Sequence, residues 1–223
     1  MKHPNAVYYA VLLSMLVFNF LIFATPLLAM AHSPLAGPLY TGFAATCHQL
    51  DSRSLCVYGG GPHEFFHIDS CTPVESTLVL GRHQVIFNGN SMGYKIPVCS
   101  RDIAIYLAML IGIMLYPFLY KLDSQHMPNK WILVAAAIPI GLDGGIQLLS
   151  DVGLIPFTYE STNTIRLLTG AVVGIVIPFY LIPVLNIIYH SLAFDKKNVN
   201  QGGSGQNSAP KRGKAHSEPK KKR

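Results

Sequence analysis

Trp131–Leu149 reads WILVAAAIPIGLDGGIQLL, a run in which Asp143 is the single ionisable residue. A helix of this length rises about 30 Å, the thickness of a bilayer's hydrocarbon core. A lipid-facing barrel strand would be about 10 residues long and would alternate apolar and polar side chains, which this run does not. The pair Gly144–Gly145 is tolerated inside membrane helices, where it would weaken a soluble one. The stretch is therefore read as a membrane-spanning helix.

Three other runs have the same character: Val7–Met30, Asp102–Tyr120 and Ile165–His190. The whole chain agrees, since 50% of its 223 residues are hydrophobic and only 13% are charged, an imbalance unusual for a soluble domain. The expected fold is an all-α membrane protein with about four transmembrane helices. Residues 1–31 form the first helix; the alternative is a secretory signal, because Lys2 and His3 precede an apolar stretch ending in LLAMA at Ala31. Residues 32–101 form an extracytoplasmic loop, 102–194 a three-helix membrane core, and 195–223 a disordered basic tail.

The distribution of basic residues orients the chain. The N-terminus, the Lys121–Lys130 loop and the tail carry most Lys and Arg, whereas Arg53, Arg82, Lys95, Arg101 and Arg166 fall on the other side. The positive-inside rule then places both termini in the cytoplasm of a multi-pass cell-membrane protein. The tail, ending PKRGKAHSEPKKKR, cannot bury enough apolar surface to fold alone. It is suited to anionic lipid or to the ribosome, without specific nucleic-acid binding. HSPLAGPLYTGFAA, before Cys47, reads as an interfacial or re-entrant segment. STLVLGRHQVIFNG, with β-prone residues before an Asn-Gly turn, reads as a small β-hairpin in the outer loop.

That loop holds all four cysteines, Cys47, Cys56, Cys71 and Cys99. An even count in an oxidising compartment implies disulfides, and four cysteines allow three pairings. Cys47, His48, Cys99 and Asp102 also make a ligand set acceptable to zinc, so a metal centre and a Cys47–Cys99 disulfide are alternatives.

Polar residues gather at the outer ends of the helices. Asp143 and Gln147 share a helical face by their spacing of four. Glu160, Asn163 and Arg166 follow the next loop at spacings of three. An ionisable group within the bilayer normally faces the bundle interior and has a partner; Arg166 is the expected counter-ion of Asp143. Together with Arg101 these residues define an outward-facing site for a metal ion or a polar or lipid-headgroup ligand. An enzyme on a lipid-linked substrate is the alternative, with Asp143 or Glu160 moving protons and Arg101 or Arg166 holding an anion. No Asp-rich prenyl-transfer box, phosphate-binding loop or serine elbow is present. A third class is an accessory subunit whose outer loop contacts a partner membrane protein.

The motifs CHQ, RS, PVCSRD with IAIY, GLDGGIQ and ESTNTIRLLTG resemble those of a prokaryotic membrane-protein family known as a domain of unknown function. The resemblance covers about Cys47–Gly174 and implies no reaction. Where that family often has Cys-x-Arg-Cys, this chain matches at Cys99 and Arg101 but carries Asp102 in the last place, which weakens a carried-over metal or redox site. The segment between Ser54 and Pro97 looks like an insertion, which implies that Cys56 and Cys71 form a local disulfide.

Overall fold

A computed structural model describes residues 5–46, 53–59, 66–71, 75–79, 82–88 and 91–202. Two helices, α1 (Ala6–Met30) and α2 (Ala36–Phe43), precede five strands, β1 (Ser54–Tyr58), β2 (His67–Ser70), β3 (Glu75–Val79), β4 (Arg82–Asn88) and β5 (Ser91–Cys99). Then come α3 (Ser100–Leu119), α4 (Lys130–Asp151), α5 (Asn163–Val176) and α6 (Pro178–Gly202). Among the described residues four helical segments are long and apolar enough to cross a membrane: Ala6–Met30, Ser100–Leu119, Lys130–Asp151 and Asn163–Leu192. The last comprises α5 and the start of α6, which meet at Pro178, a residue that lacks the N–H a continuous helix would use.

One compact unit is Met1–Asn186 and the other Ile187–Arg223. In the second, α6 continues, with Ser191 Oγ donating to Ile187 O at 2.9 Å.

In the first unit α3 is the most enclosed span. It buries Ser100, Ile103, Ala104, Ala108, Met109, Gly112, Ile113 and Tyr116, a spacing of three and four that keeps one broad face inside. Its closest partner is α5. A Cβ added at Gly170 would lie 2.6 Å from Arg101 O, and one at Gly174 would lie 2.5 Å from Ile105 O. Gly170 and Gly174 are four apart, the small-xxx-small spacing that lets membrane helices approach backbone to backbone. This contact fixes the height of Arg101 relative to α5.

The strands form an antiparallel sheet in the order β2-β1-β5-β4-β3. The hairpin read from STLVLGRHQVIFNG is present as β3–β4, and the sheet extends beyond it through β5 and β1. Apolar residues seat the sheet on the helices: Val57, Ile96 and Val98 pack with Ile22 of α1, Phe43 of α2 and Ile103 of α3. Tyr40 of α2 donates to Lys95 O at 2.5 Å, and burial pushes its phenol well above the ordinary tyrosine value. The sulfurs of Cys56 and Cys71 lie 2.02 Å apart, joining β1 to the residue after β2. No residue separates β5 from α3, since Cys99 ends the strand and Ser100 begins the helix.

Candidate polar site at the sheet-side end of the helices

β5 delivers the chain into α3 with Cys99 in extended conformation, so Arg101 and Asp102 fall in the first helical turn. A carboxylate there is favoured by the helix's unpaired N–H groups. Asp102 instead turns to Cys99, whose thiol donates to Oδ2 at 3.1 Å. Arg101 points the other way and forms an ion pair with Asp143 of α4. Gly144 leaves the guanidinium its space, because a Cβ there would sit 3.2 Å from Arg101 Nη1.

Asp143 is 5% exposed and its acceptors are heavily used. Oδ1 accepts from the Tyr159 hydroxyl at 2.9 Å, while Oδ2 accepts from Ser161 Oγ at 2.9 Å and from Arg101. Tyr159 lies in the α4–α5 connection, and its bond to Asp143, with burial adding, holds its phenol above the ordinary value.

One turn further along α4, Gln147 is 4% exposed and accepts from Arg166 Nη2 at 2.6 Å through Oε1. Arg166, in the first turn of α5 and 3% exposed, also donates from Nε to Ser161 O at 3.1 Å. The expectation that Arg166 pairs with Asp143 is corrected: Arg101 is the counter-ion. The tight α3–α5 contact brings Arg101 to the carboxylate, and Ser161 stands between Asp143 and the Arg166 guanidinium, bonding to both.

Arg166 thus rests on a side-chain amide oxygen and a backbone carbonyl, with no carboxylate within ion-pair distance among the described residues. A buried guanidinium without an anion is costly in a low-dielectric interior. Two further donors, Arg101 Nε and Gln147 Nε2, are buried and have no hydrogen-bond partner among the described residues. Among the described residues the cluster contains two guanidinium groups and one carboxylate, and it has donors to spare.

Asn163 and Glu160 are placed differently. Asn163 accepts from Ser100 Oγ at 2.7 Å and donates to Ser70 Oγ at 3.0 Å and Ser54 O at 3.5 Å. It ties α5 to α3 and to the sheet. Glu160 sits on the surface 3.7 Å from Arg53, which also reaches Asp151 at 3.4 Å. These residues, with Ser150, Thr158 and Tyr159, line an open polar cleft of about 470 Å³.

Cys47 and His48 lie outside the described residues, as does the end of the basic tail. Among the described residues no three His, Cys, Asp or Glu side chains converge to hold a metal ion. Tyr159 and Ser100 were not anticipated as members of the network. Ser100 lies inside the motif PVCSRD and Tyr159 immediately precedes ESTNTIRLLTG, and adjacency to a candidate residue is the signal that could have marked them.

A family model described as a predicted membrane protein, DUF2085, matches residues 83–180. An uncharacterized protein of the archaeon Methanocaldococcus jannaschii is 31% identical over 183 residues, covering 79% of this chain and 91% of the relative. No solved structure matches. The matched family segment contains Arg101, Asp143, Gln147, Asn163 and Arg166.

Proposed function

The chain belongs to the DUF2085 family of predicted membrane proteins, and from that premise we propose that the sheet-side cluster binds an oxyanion, such as the phosphate or carboxylate of a polar ligand or lipid headgroup. The observation that carries this reading is Arg166, buried to 3% exposure and held, among the described residues, by neutral acceptors. Arg101 Nε and Gln147 Nε2 supply the additional donors, and charge-assisted bonds from such groups are the strong ones. Asp143 is the orienting member: it holds Arg101, and Tyr159 and Ser161 hold Asp143. In the same reading α1 is retained in the mature protein, both termini are cytoplasmic and the sheet lies outside the cell membrane. The basic tail then meets anionic lipid or the ribosome on the inner side.

Binding is tested with full-length protein in nanodiscs of neutral lipid. Inorganic phosphate is titrated in one arm, and phosphatidylglycerol is added to the nanodisc in the other. Saturable binding in either arm, lost in folded Arg166→Met, is the expected result, and the arm that responds identifies the source of the oxyanion. Absence of binding in both arms, or equal binding by the folded variant, would overturn the reading.

A second reading concerns Cys47, His48, Cys99 and Asp102, and is favoured by the contact of Cys99 with Asp102. These residues are suited to zinc, and a Cys47–Cys99 disulfide is the competing use of the same sulfurs. Elemental analysis with thiol counting separates them: bound zinc supports the metal set, whereas two disulfides and no metal sink it.

A further inference from the structure

Among the described residues β2 is an edge strand, paired with β1 on one side alone. With the residue before it, the strand reads Phe66, His67, Ile68, Asp69, alternating apolar and polar, so the two kinds of side chain go to opposite faces of the sheet. The register says which face each takes. Ile68 is paired with Val57, and Val57 packs with Ile22 of α1 and Ile103 of α3. Directly opposed residues share a face, so Ile68 lies on the helix side. Phe66 lies there too: a Cβ added at Gly59 would sit 2.6 Å from the Phe66 ring and 3.5 Å from the Met30 methyl of α1. His67 and Asp69 take the other face, paired with Tyr58 and Cys56, and His67 stacks on the Tyr58 ring at 5.3 Å.

On the helix side Val57, Ile96 and Val98 are buried, whereas Phe66 is 68% and Ile68 55% exposed. The apolar face therefore continues past the helices at its β2 edge. Depth decides what covers it. Met30 is the last residue of a span whose Leu13, Leu16, Phe20 and Leu27 are exposed, as on a helix that faces lipid. The end of that span marks the boundary of the hydrocarbon, and Phe66 stands beside the same glycine as Met30. A second copy of this chain is a poor occupant. Two such patches face to face would bury on the order of 400 Å², well below the roughly 1,200 Å² of a stable interface. Lipid has no such minimum to meet, because the spans already hold the chain in the bilayer.

We propose that Phe66 and Ile68 enter the glycerol ends of the acyl chains in the sheet-side leaflet and pin the edge of the sheet to the membrane beside α1. Only the side chains go in, because hydrocarbon cannot satisfy the backbone groups along the outer edge of β2. The proposal rests on α1 being retained, which the intact mass of the purified protein checks separately.

Trp131 is the single tryptophan of the chain, so full-length Trp131→Phe provides a background without tryptophan emission. Phe66→Trp, Ile68→Trp and His67→Trp are each made in it and reconstituted in phosphatidylcholine nanodiscs, with and without lipid brominated near the glycerol end of the acyl chain. Phe66→Trp and Ile68→Trp should lose most of their emission to the brominated lipid, and His67→Trp should keep its own. Both apolar positions are exposed and accept the larger ring, and either variant suffices if the other does not fold. Equal quenching in all three variants, or none in Phe66→Trp and Ile68→Trp, overturns the proposal. So does blue-shifted emission that bromine does not quench and that appears only in nanodiscs holding two copies, which would give the edge to a second chain.

Discussion

At the sheet-side end of the helices Arg101, Asp143, Gln147 and Arg166 meet as a charged network. At the opposite end Tyr8, Ile113, Tyr116 and Ile182 form a neutral cluster flanked by Tyr120 and Phe179. Both ends tie helices together with buried polar groups. Tyr8 donates to Ile113 O at 3.2 Å, and Asn186 donates to Leu122 O and Ser124 O, each at 3.0 Å. The neutral end therefore clamps the bundle with amides, phenols and backbone carbonyls, which are cheap to bury when bonded. Full charges are not needed for that task. Among the described residues the buried charges gather at one end, with an excess guanidinium, and that is the reason to assign that end to a ligand.

The largest effect should come from Asp143→Leu, which leaves the half-buried Arg101 without its carboxylate. A loss of about 3–5 kcal/mol of stability is expected, read as a fall in unfolding temperature in detergent; a change below about 1 kcal/mol would mean that the pair is solvated and the contrast between the ends is false. Asn186→Leu, at the neutral end, removes two hydrogen bonds and leaves two carbonyls unmet, so a loss of about 1–3 kcal/mol is expected. Its oxyanion binding should equal that of the unsubstituted protein, and a parallel loss of binding would show the two ends to be one coupled network.

Arg166→Met should cost less than about 1 kcal/mol, because removing an uncompensated buried charge offsets the bond lost by Gln147. A large destabilisation together with intact binding would recast Arg166 as a clamp. Tyr116→Phe should be neutral within about 1 kcal/mol, since no partner lies at good hydrogen-bonding geometry to the buried Tyr116 hydroxyl among the described residues. The smallest effect concerns pH. The Tyr159 phenol is held above its ordinary value, so its contribution is complete below about pH 10 and is lost as pH rises through the raised value. An unfolding temperature that falls between neutral pH and 10, and stops falling in Tyr159→Phe, would contradict that assignment.

Much of this was legible in the sequence for a physical reason. Spans such as Trp131–Leu149 are written in composition, because hydrocarbon admits few alternatives to an apolar helix. Asp143 and Gln147 could be placed on one face because helical spacing fixes it. The counter-ion could not, because Arg101 and Arg166 both stand at the first turn of a helix and only the α3–α5 approach through Gly170 and Gly174 chooses between them. The sheet was read as a hairpin alone because β1 and β5 pair across a long sequence separation, which local patterns do not reveal. Asn163 was read as a ligand residue, and its bonds to Ser54, Ser70 and Ser100 belong to three other parts of the fold.

The direct passage from β5 into α3 has a mechanical meaning. With no loop between Cys99 and Ser100, strand and helix act as the two arms of a stiff lever whose fulcrum lies one residue from Arg101. A tilt of the sheet would be passed to α3 without the slack of a loop, and Arg101 is the charged side chain nearest that joint.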